Sequence, residues 1–353
     1  MAKNKWIYCS SKVQNELPSP PQLLLENAEI VKHNPVRDVF FKDGYFIKCD
    51  YRKRHGFEKE FKAAQQLAKK NIATVEHLAC GSHKNCNYLI TRALEDSQTV
   101  EEYLLKSPAD ELFKGAFAGF LDLWRNSPFF HTDAHLGNLL YQPGKKSLTL
   151  VDVRGVKKRS LWKKRYHGCP ADVARFIFNF RGSLSCAEVL DLLTQNLCSE
   201  PEKVFQKMLK KECARILKEW PKRSRQLFSG YPKFSRITGE NMLVLSAFQG
   251  RYLQYPEETS PDAGAEFAAS FFLSLLQIPH RRVCAADLNT NRLRREPERS
   301  GVPVSPEELS HLQYALEQCG LENSPSRWQN IGGIPYLTDI SPLISMPLFT
   351  QRS

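Results

Sequence analysis

Apolar positions alternate with polar ones along residues 28–33 (AEIVKH), 37–41 (RDVFF) and 45–49 (YFIKC), the period of half-buried strands. Asn34-Pro35 and Lys42-Asp43-Gly44 separate these runs, and both are turn chemistry, so the spacing predicts an antiparallel meander. The period then changes. Across residues 56–70, Phe57, Phe61, Ala64, Leu67 and Ala68 recur at helical spacing, with Lys, Glu and Gln on the other face. Strand-like runs follow at 74–79 and 88–93, with 81–87 as the turn between them. Five strands and one amphipathic helix are therefore expected in this part of the chain.

From Thr99 the pattern becomes mainly helical. Thr99-Val-Glu-Glu resembles a capping box, and residues 112–124 carry a long apolar face. Residues 130–141 read as loop, and 147–153 (SLTLVDV) as a short apolar strand. After Pro170 helices are expected in ADVARFIFNF and over 186–197, 202–220 and 240–254. Beyond residue 277 the sequence is polar and proline-rich, with one candidate helix at 306–319, so partial disorder or a peripheral position is expected there. The organisation read from these shifts is an extension at 1–22, a sheet-rich unit at 23–97, a helical unit at 98–277 and a further extension at 278–353.

Composition adds limits. With 42% hydrophobic and 25% charged residues over 353 positions, the chain can bury a sizeable core. Ten cysteines scattered along it, with no secretion-like apolar stretch in residues 1–20, point to reduced thiols in a cytoplasmic protein. The apolar stretch at 267–278 is far shorter than the roughly 20 residues that cross a bilayer. A formal net charge of +12 favours anionic partners. Residues 154–165 (RGVKKRSLWKKR) alone hold seven Lys/Arg and no acid.

The chemistry is concentrated in His131-Thr-Asp133-Ala-His135-Leu-Gly-Asn138, followed nineteen residues after Asp133 by Asp152 at the end of an apolar strand. Phosphoryl transfer needs a carboxylate to orient and deprotonate an attacking hydroxyl, and oxygen ligands to hold magnesium against phosphates. Asp133 and Asn138 lie five apart on one loop and can face one cleft, and the strand before Asp152 brings a second carboxylate alongside.

HTDAHLGNLL followed by LTLVDVRG resembles the catalytic and metal-binding segments of the protein-kinase-like superfamily. The short basic segment and the later Asp172-Val-Ala-Arg175-Phe resemble, within it, the lipopolysaccharide kinases that phosphorylate Kdo or heptose of the inner core. The resemblance covers about residues 23–181. It implies an α+β, bilobal fold, with a small antiparallel-sheet lobe carrying one helix and a mainly helical large lobe. It also implies ATP and Mg2+ as cofactors and a sugar hydroxyl as acceptor. Asp133 would be the base, grouped with His131, and Asn138 and Asp152 the metal ligands. Lys48 would meet the nucleotide phosphates, with Glu60 as its ion-pair partner.

Three positions depart from the ordinary protein-kinase pattern. The turn His33-Asn34-Pro35-Val36-Arg37 replaces a glycine-rich loop, so phosphate cover would fall to this tighter turn aided by Arg37. Val153 and Arg154 stand after Asp152 in place of Phe and Gly, and Thr132 replaces the usual arginine. These departures fit small-molecule kinases better than protein kinases.

His77, Cys80, His83 and Cys86 have zinc-like spacing, but on a strand and its turn alternation sends neighbouring ligands to opposite faces, which favours a bonded histidine and buried thiols. His135 is read as a substrate-side residue and Asp172 as a brace for the catalytic-loop backbone. Arg154, Lys157 and Lys158, just beyond Asp152, would gather an anionic glycolipid or sugar and hold the protein peripherally at the inner membrane face, with Trp162 at the interface. The function expected is an ATP-dependent, cytoplasmic, membrane-associated kinase of an inner-core sugar. The alternatives are a kinase of another small molecule or protein, and a pseudokinase that binds membranes or partners through its basic face. Nucleic acid is not expected as a partner.

Overall fold

A computed structural model describes residues 5–9, 24–52, 56–83, 86–106, 109–159, 165–232, 234–238, 242–250, 252–304, 306–321, 327–331, 334–340, 343 and 347–350. The chain divides into two units, Met1–Asn179 and Phe180–Ser353.

The first unit begins with β1 (Lys5–Cys9), β2 (Glu29–Asn34), β3 (Arg37–Lys42) and β4 (Tyr45–Asp50), followed by α1 (Glu58–Ala68), β5 (His77–His83) and β6 (Cys86–Arg92). These strands form one antiparallel sheet in the order β1-β5-β6-β4-β3-β2. The β3–β4 turn is tight because Asp43 (φ 49°) and Gly44 (φ 79°) both take left-handed conformations, as a two-residue hairpin requires. Helix α1 buries Phe61, Ala64 and Leu67 together with Glu60. On the side of this helix Phe57 and Phe61 pack with Cys80 and Leu89. A separate cluster of Ile47, Cys49, Cys86 and Tyr88 packs against Leu24, Leu25 and Phe40. A fully buried Leu, Ile or Phe side chain among these contributes about 1.5–3 kcal/mol. The meander and helix are those predicted. The strand missing from the prediction is β1, a five-residue edge strand pairing Lys5 with Ser82 and Cys9 with Ala79, too short and too isolated in sequence to carry a pattern.

The unit continues with β7 (Gln98–Thr99), α2 (Val100–Lys106), α3 (Glu111–Asn126), β8 (Phe129–His131), β9 (Leu139–Gln142), β10 (Ser147–Leu150), β11 (Val156–Lys158), β12 (Arg165–Tyr166), β13 (Cys169–Pro170) and α4 (Ala171–Phe178). The predicted capping box is present: Glu102 N–H donates to Thr99 Oγ1 at 3.1 Å and Thr99 N–H to Glu102 Oε2 at 3.2 Å. Asp110 caps α3 by accepting from Phe113 N–H at 2.7 Å. The buried face of α3, with Phe120 and Trp124, meets Phe176 of α4 edge-on at centroid distances of 5.5 and 6.2 Å. Strands β9 and β10 form a hairpin in which Leu150 lies opposite Leu139. Its mouth is pinned to the segment before β5, where Leu150 N–H donates to Ala73 O and Val75 N–H to Leu150 O, each at 3.0 Å.

The second unit contains α5 (Cys186–Gln195), α6 (Pro201–Phe228), β14 (Ser235–Thr238), β15 (Met242–Leu245), β16 (Glu257–Thr259), α7 (Ala263–Leu276), β17 (Val283–Asp287), β18 (Arg292–Arg295), β19 (Val302–Pro303), α8 (Pro306–Gln318), β20 (Trp328–Ile331), β21 (Ile334–Leu337) and α9 (Pro347–Thr350). An antiparallel sheet runs β14-β15-β17-β18-β16, and β19-β20-β21 form another. This corrects two expectations. The helix expected over 240–254 is absent from the described residues of that range: Met242–Leu245 is a strand, because MLVL is a short fully apolar run whose periodicity cannot separate strand from helix. The sequence after 277, expected to be partly disordered or peripheral, also supplies sheet, with β17 buried along Val283–Ala286. Most of the apolar stretch at 267–278 lies in α7, which is buried from Ala263 through Leu273, and among the described residues no helix is long and apolar enough to cross a membrane.

Candidate active site

Lys48 stands on β4 with its neighbours Ile47 and Cys49 turned into the apolar cluster, so alternation turns Lys48 to the other face, toward α1. There Lys48 Nζ donates to Glu60 Oε1 at 2.7 Å, with side-chain exposures of 12% and 2%. Burial alone would raise the Glu60 pKa, but the Lys48 charge and His77 outweigh it and hold the carboxyl at about 2. His77 Nε2 lies 3.8 Å from the same oxygen, and its Nδ1–H donates to Val75 O at 2.8 Å. His77 is thus a bonded histidine behind the ion pair. Among the described residues no three His, Cys, Asp or Glu side chains gather as a metal site, and the His83 side chain lies outside them.

The β9–β10 hairpin places the next two residues. Asn138 immediately precedes β9 and Asp152 follows β10 by two, and Val151 N–H donates to Asn138 O at 3.0 Å, so the two residues flank the hairpin's open end. Asn138 is buried, and its Nδ2 donates to Asp133 O at 2.8 Å. With the amide nitrogen committed to that carbonyl, the amide oxygen is left as an oxygen donor. Asp152 Oδ1 accepts from Arg154 N–H at 3.1 Å. Asp133 itself is open to solvent, at 80% side-chain exposure, with His135 Nε2 3.7 Å from its Oδ2.

His131 links these parts. Its Nε2–H donates to Asp152 O at 2.9 Å and its Nδ1 accepts from Asp133 N–H at 3.1 Å. Burial pushes its pKa down, consistent with a neutral ring used on both sides. It is a positioning residue for both Asp133 and Asp152.

Helix α4 holds the loop from below. Asp172 Oδ2, fully buried, accepts from His131 N–H at 3.0 Å and from Trp124 Nε1–H at 2.7 Å. One turn on, Arg175 Nη1 donates to Thr132 O at 2.8 Å, and Asn179 Nδ2 donates to Ala134 O at 2.9 Å. Three polar side chains at i, i+3 and i+7 of one helical face therefore bind the backbone on either side of Asp133. Arg175 and Asn179 received no such role from the sequence, although polar residues at that spacing in the otherwise apolar ADVARFIFNF were a legible signal. Arg159 was also missed: its Nε donates to Phe129 O at 3.0 Å and its Nη1 to Arg125 O at 2.9 Å, fastening the end of β11.

The remaining predicted residues lie around this centre. Lys157 and Lys158 are exposed on β11, opposite Phe130 and Phe129 of β8. Arg37 Nη2 donates to Asp50 Oδ2 at 3.2 Å, and Arg154 Nη1 lies 3.7 Å from the same oxygen. That second contact ties β4, and so Lys48, to the segment just after Asp152. Residues 160–164, including Trp162, lie outside the described residues.

The donor set fits a hard divalent cation and a phosphate chain: one carboxylate and one amide oxygen at the hairpin mouth, and an ammonium held by a buried carboxylate. No protein-family profile matches the chain, and no curated protein does. Among solved structures, a crystal structure of WbdD aligns at 16% identity over 49% of this chain and 43% of that one, with a TM-score of 0.36. A structure described as the bifunctional kinase-methyltransferase WbdD aligns at 14% identity over 52% and 37%, with a TM-score of 0.32. The Mycobacterium tuberculosis PknI kinase domain aligns at 12% identity over 46% of this chain and 71% of that one, with a TM-score of 0.28. The chain thus spans less than half the length of the WbdD chains it matches.

Proposed function

We propose that the first unit carries an ATP-dependent phosphotransferase site acting on an alcohol acceptor, a sugar hydroxyl of the inner-core lipopolysaccharide class. The observation that carries this reading is the hairpin mouth: Val151 N–H to Asn138 O at 3.0 Å sets Asn138 beside the strand end that leads to Asp152. Magnesium and ATP, when bound, supply the transferable phosphoryl group and neutralise its charge. Asn138 and Asp152 would hold the metal, and Lys48, oriented by Glu60, would hold phosphate oxygens. Asp133, exposed and held by its backbone from both His131 and Asn138, would accept the proton of the attacking hydroxyl. Arg154, Lys157 and Lys158 support an anionic acceptor and a peripheral position at an acidic membrane face.

The test is magnesium-dependent transfer of labelled γ-phosphate from ATP to dephosphorylated inner-core glycolipid, with the intact protein and with Asp133→Ala. Transfer that disappears in the variant supports both the reaction and the base. ATP binding without transfer to any sugar acceptor would overturn the acceptor class, and no ATP binding would overturn the reading itself.

A further inference from the structure

Asp50 is fully buried near the end of β4, and three arginines converge on it. Arg52 makes a bidentate contact, Nε to Oδ1 at 2.9 Å and Nη2 to Oδ2 at 2.5 Å, and its backbone N–H adds a bond to Oδ1 at 3.1 Å. Arg37 contributes one bond at 3.2 Å, and Arg154 approaches to 3.7 Å. Burial alone would raise the Asp50 pKa, but these hydrogen bonds, with the Arg52 charge, drive it well below the ordinary carboxylate range, so the acid stays charged. One carboxylate cannot saturate both the Arg37 and the Arg52 guanidinium groups, each with five donors. Arg37 shows the shortfall directly, since its Nε is buried without an acceptor. The three side chains remain partly open, with exposures of 23% for Arg37, 39% for Arg52 and 33% for Arg154. Like charges gather this closely at a cost that Asp50 offsets only in part, and a bound anion would offset more of it.

We propose that Arg37, Arg52 and Arg154, organised by Asp50, form a subsite for a phosphate or carboxylate group already present on the acceptor. This rests on the phosphotransferase reading for its place, because Arg154 N–H also donates to Asp152 Oδ1 and so fixes the cluster beside the proposed metal ligand. The acceptor would then be a sugar that bears an anionic group apart from the hydroxyl being phosphorylated. Asp50 acts as a positioning residue, and Arg52, contributed by the chain just after β4, as the group that determines specificity.

The experiment is calorimetric titration of the full chain and of Arg52→Gln with inorganic phosphate and with a sugar monophosphate, each with and without saturating magnesium and a non-hydrolysable ATP analogue. A variant that binds phosphate and sugar phosphate at least tenfold more weakly, with unchanged analogue affinity and thermal midpoint, supports the subsite. Arg52→Lys, which keeps the charge but not the fork, should recover only part of the loss. Weakened analogue binding with unchanged sugar-phosphate binding would mean that the cluster serves the nucleotide and would overturn the proposal. Unchanged binding of both ligands would overturn it too. Failure of the analogue to bind the unaltered protein would overturn the phosphotransferase reading instead, while the phosphate titration still decides the subsite.

Discussion

The backbone N–H of His131 donates to Asp172 Oδ2 at 3.0 Å, across 41 positions of sequence, and Trp124 Nε1–H shares the same oxygen. One buried carboxylate thereby sets the entry to the loop that carries Asp133 and its packing on α3. Asp172→Ala leaves two buried donors unpaired beside Arg159 and should cost about 3–5 kcal/mol of stability. Asp172→Asn keeps the shape and should cost less, about 1–3 kcal/mol. Urea unfolding followed by circular dichroism gives these values, and turnover per folded molecule should fall in both. A stable Asp172→Asn with unaltered turnover would show that the bond does not position the loop.

Lys48 and Glu60 predict a pH dependence with a definite sign. Glu60 is held at about 2 in the folded protein, below its ordinary value, so its contribution is complete at neutral pH and is lost as pH falls from about 4.5 toward 2. In Lys48→Met the main opposing charge is gone and burial raises the carboxyl pKa. The variant should therefore lose about 3–5 kcal/mol at pH 7, a deficit that shrinks by pH 4 as Glu60 protonates. Denaturation midpoints of both proteins at the two pH values check this, and a deficit independent of pH would rule out Glu60 as the acid held by Lys48.

What the sequence disclosed follows from how local each feature is. The β2–β4 meander, α1 and the Thr99 cap depend on neighbours within a few residues, and their patterns were readable. The Lys48–Glu60 pair spans 12 positions and needed the resemblance to be assigned. The Asp50 cluster was not legible, because Asp-x-Arg at residues 50–52 is unremarkable until Arg37 and Arg154 are brought to it by the sheet and by the segment after β10. The sheet of the second unit was missed for a related reason. Its strands are three to five residues long, and their pairing, such as Leu243 with Ala286, joins distant segments that carry no alternation of their own.

Asn138 Nδ2 donates to Asp133 O at 2.8 Å, and the proposed function gives its amide oxygen a second, separable role as a cation ligand. Asn138→Ala removes both, and one net hydrogen bond is worth only about 0.5–1.5 kcal/mol, so the fold should survive. Turnover should fall about 100-fold or more, with a higher magnesium requirement, in assays of initial rate against metal concentration. A variant with lower turnover but an unchanged magnesium requirement would assign Asn138 to loop positioning alone.

Lys157 and Lys158 are exposed on β11, whose backbone pairing to β8 does not involve their side chains, so charge reversal there should leave stability within about 0.5 kcal/mol. Their expected contribution is long-range attraction of an anionic acceptor. Lys157→Glu/Lys158→Glu should raise the KM for a negatively charged acceptor several-fold, leave that for ATP unchanged, and lose most of this effect as salt rises, since screening shortens to about 3 Å at 1 M. Steady-state kinetics at two ionic strengths with charged and neutral acceptors separates this from local contact. An effect that persists at high salt would place a lysine directly on the acceptor, and an equal effect on the neutral acceptor would mean that β11 itself had been disturbed.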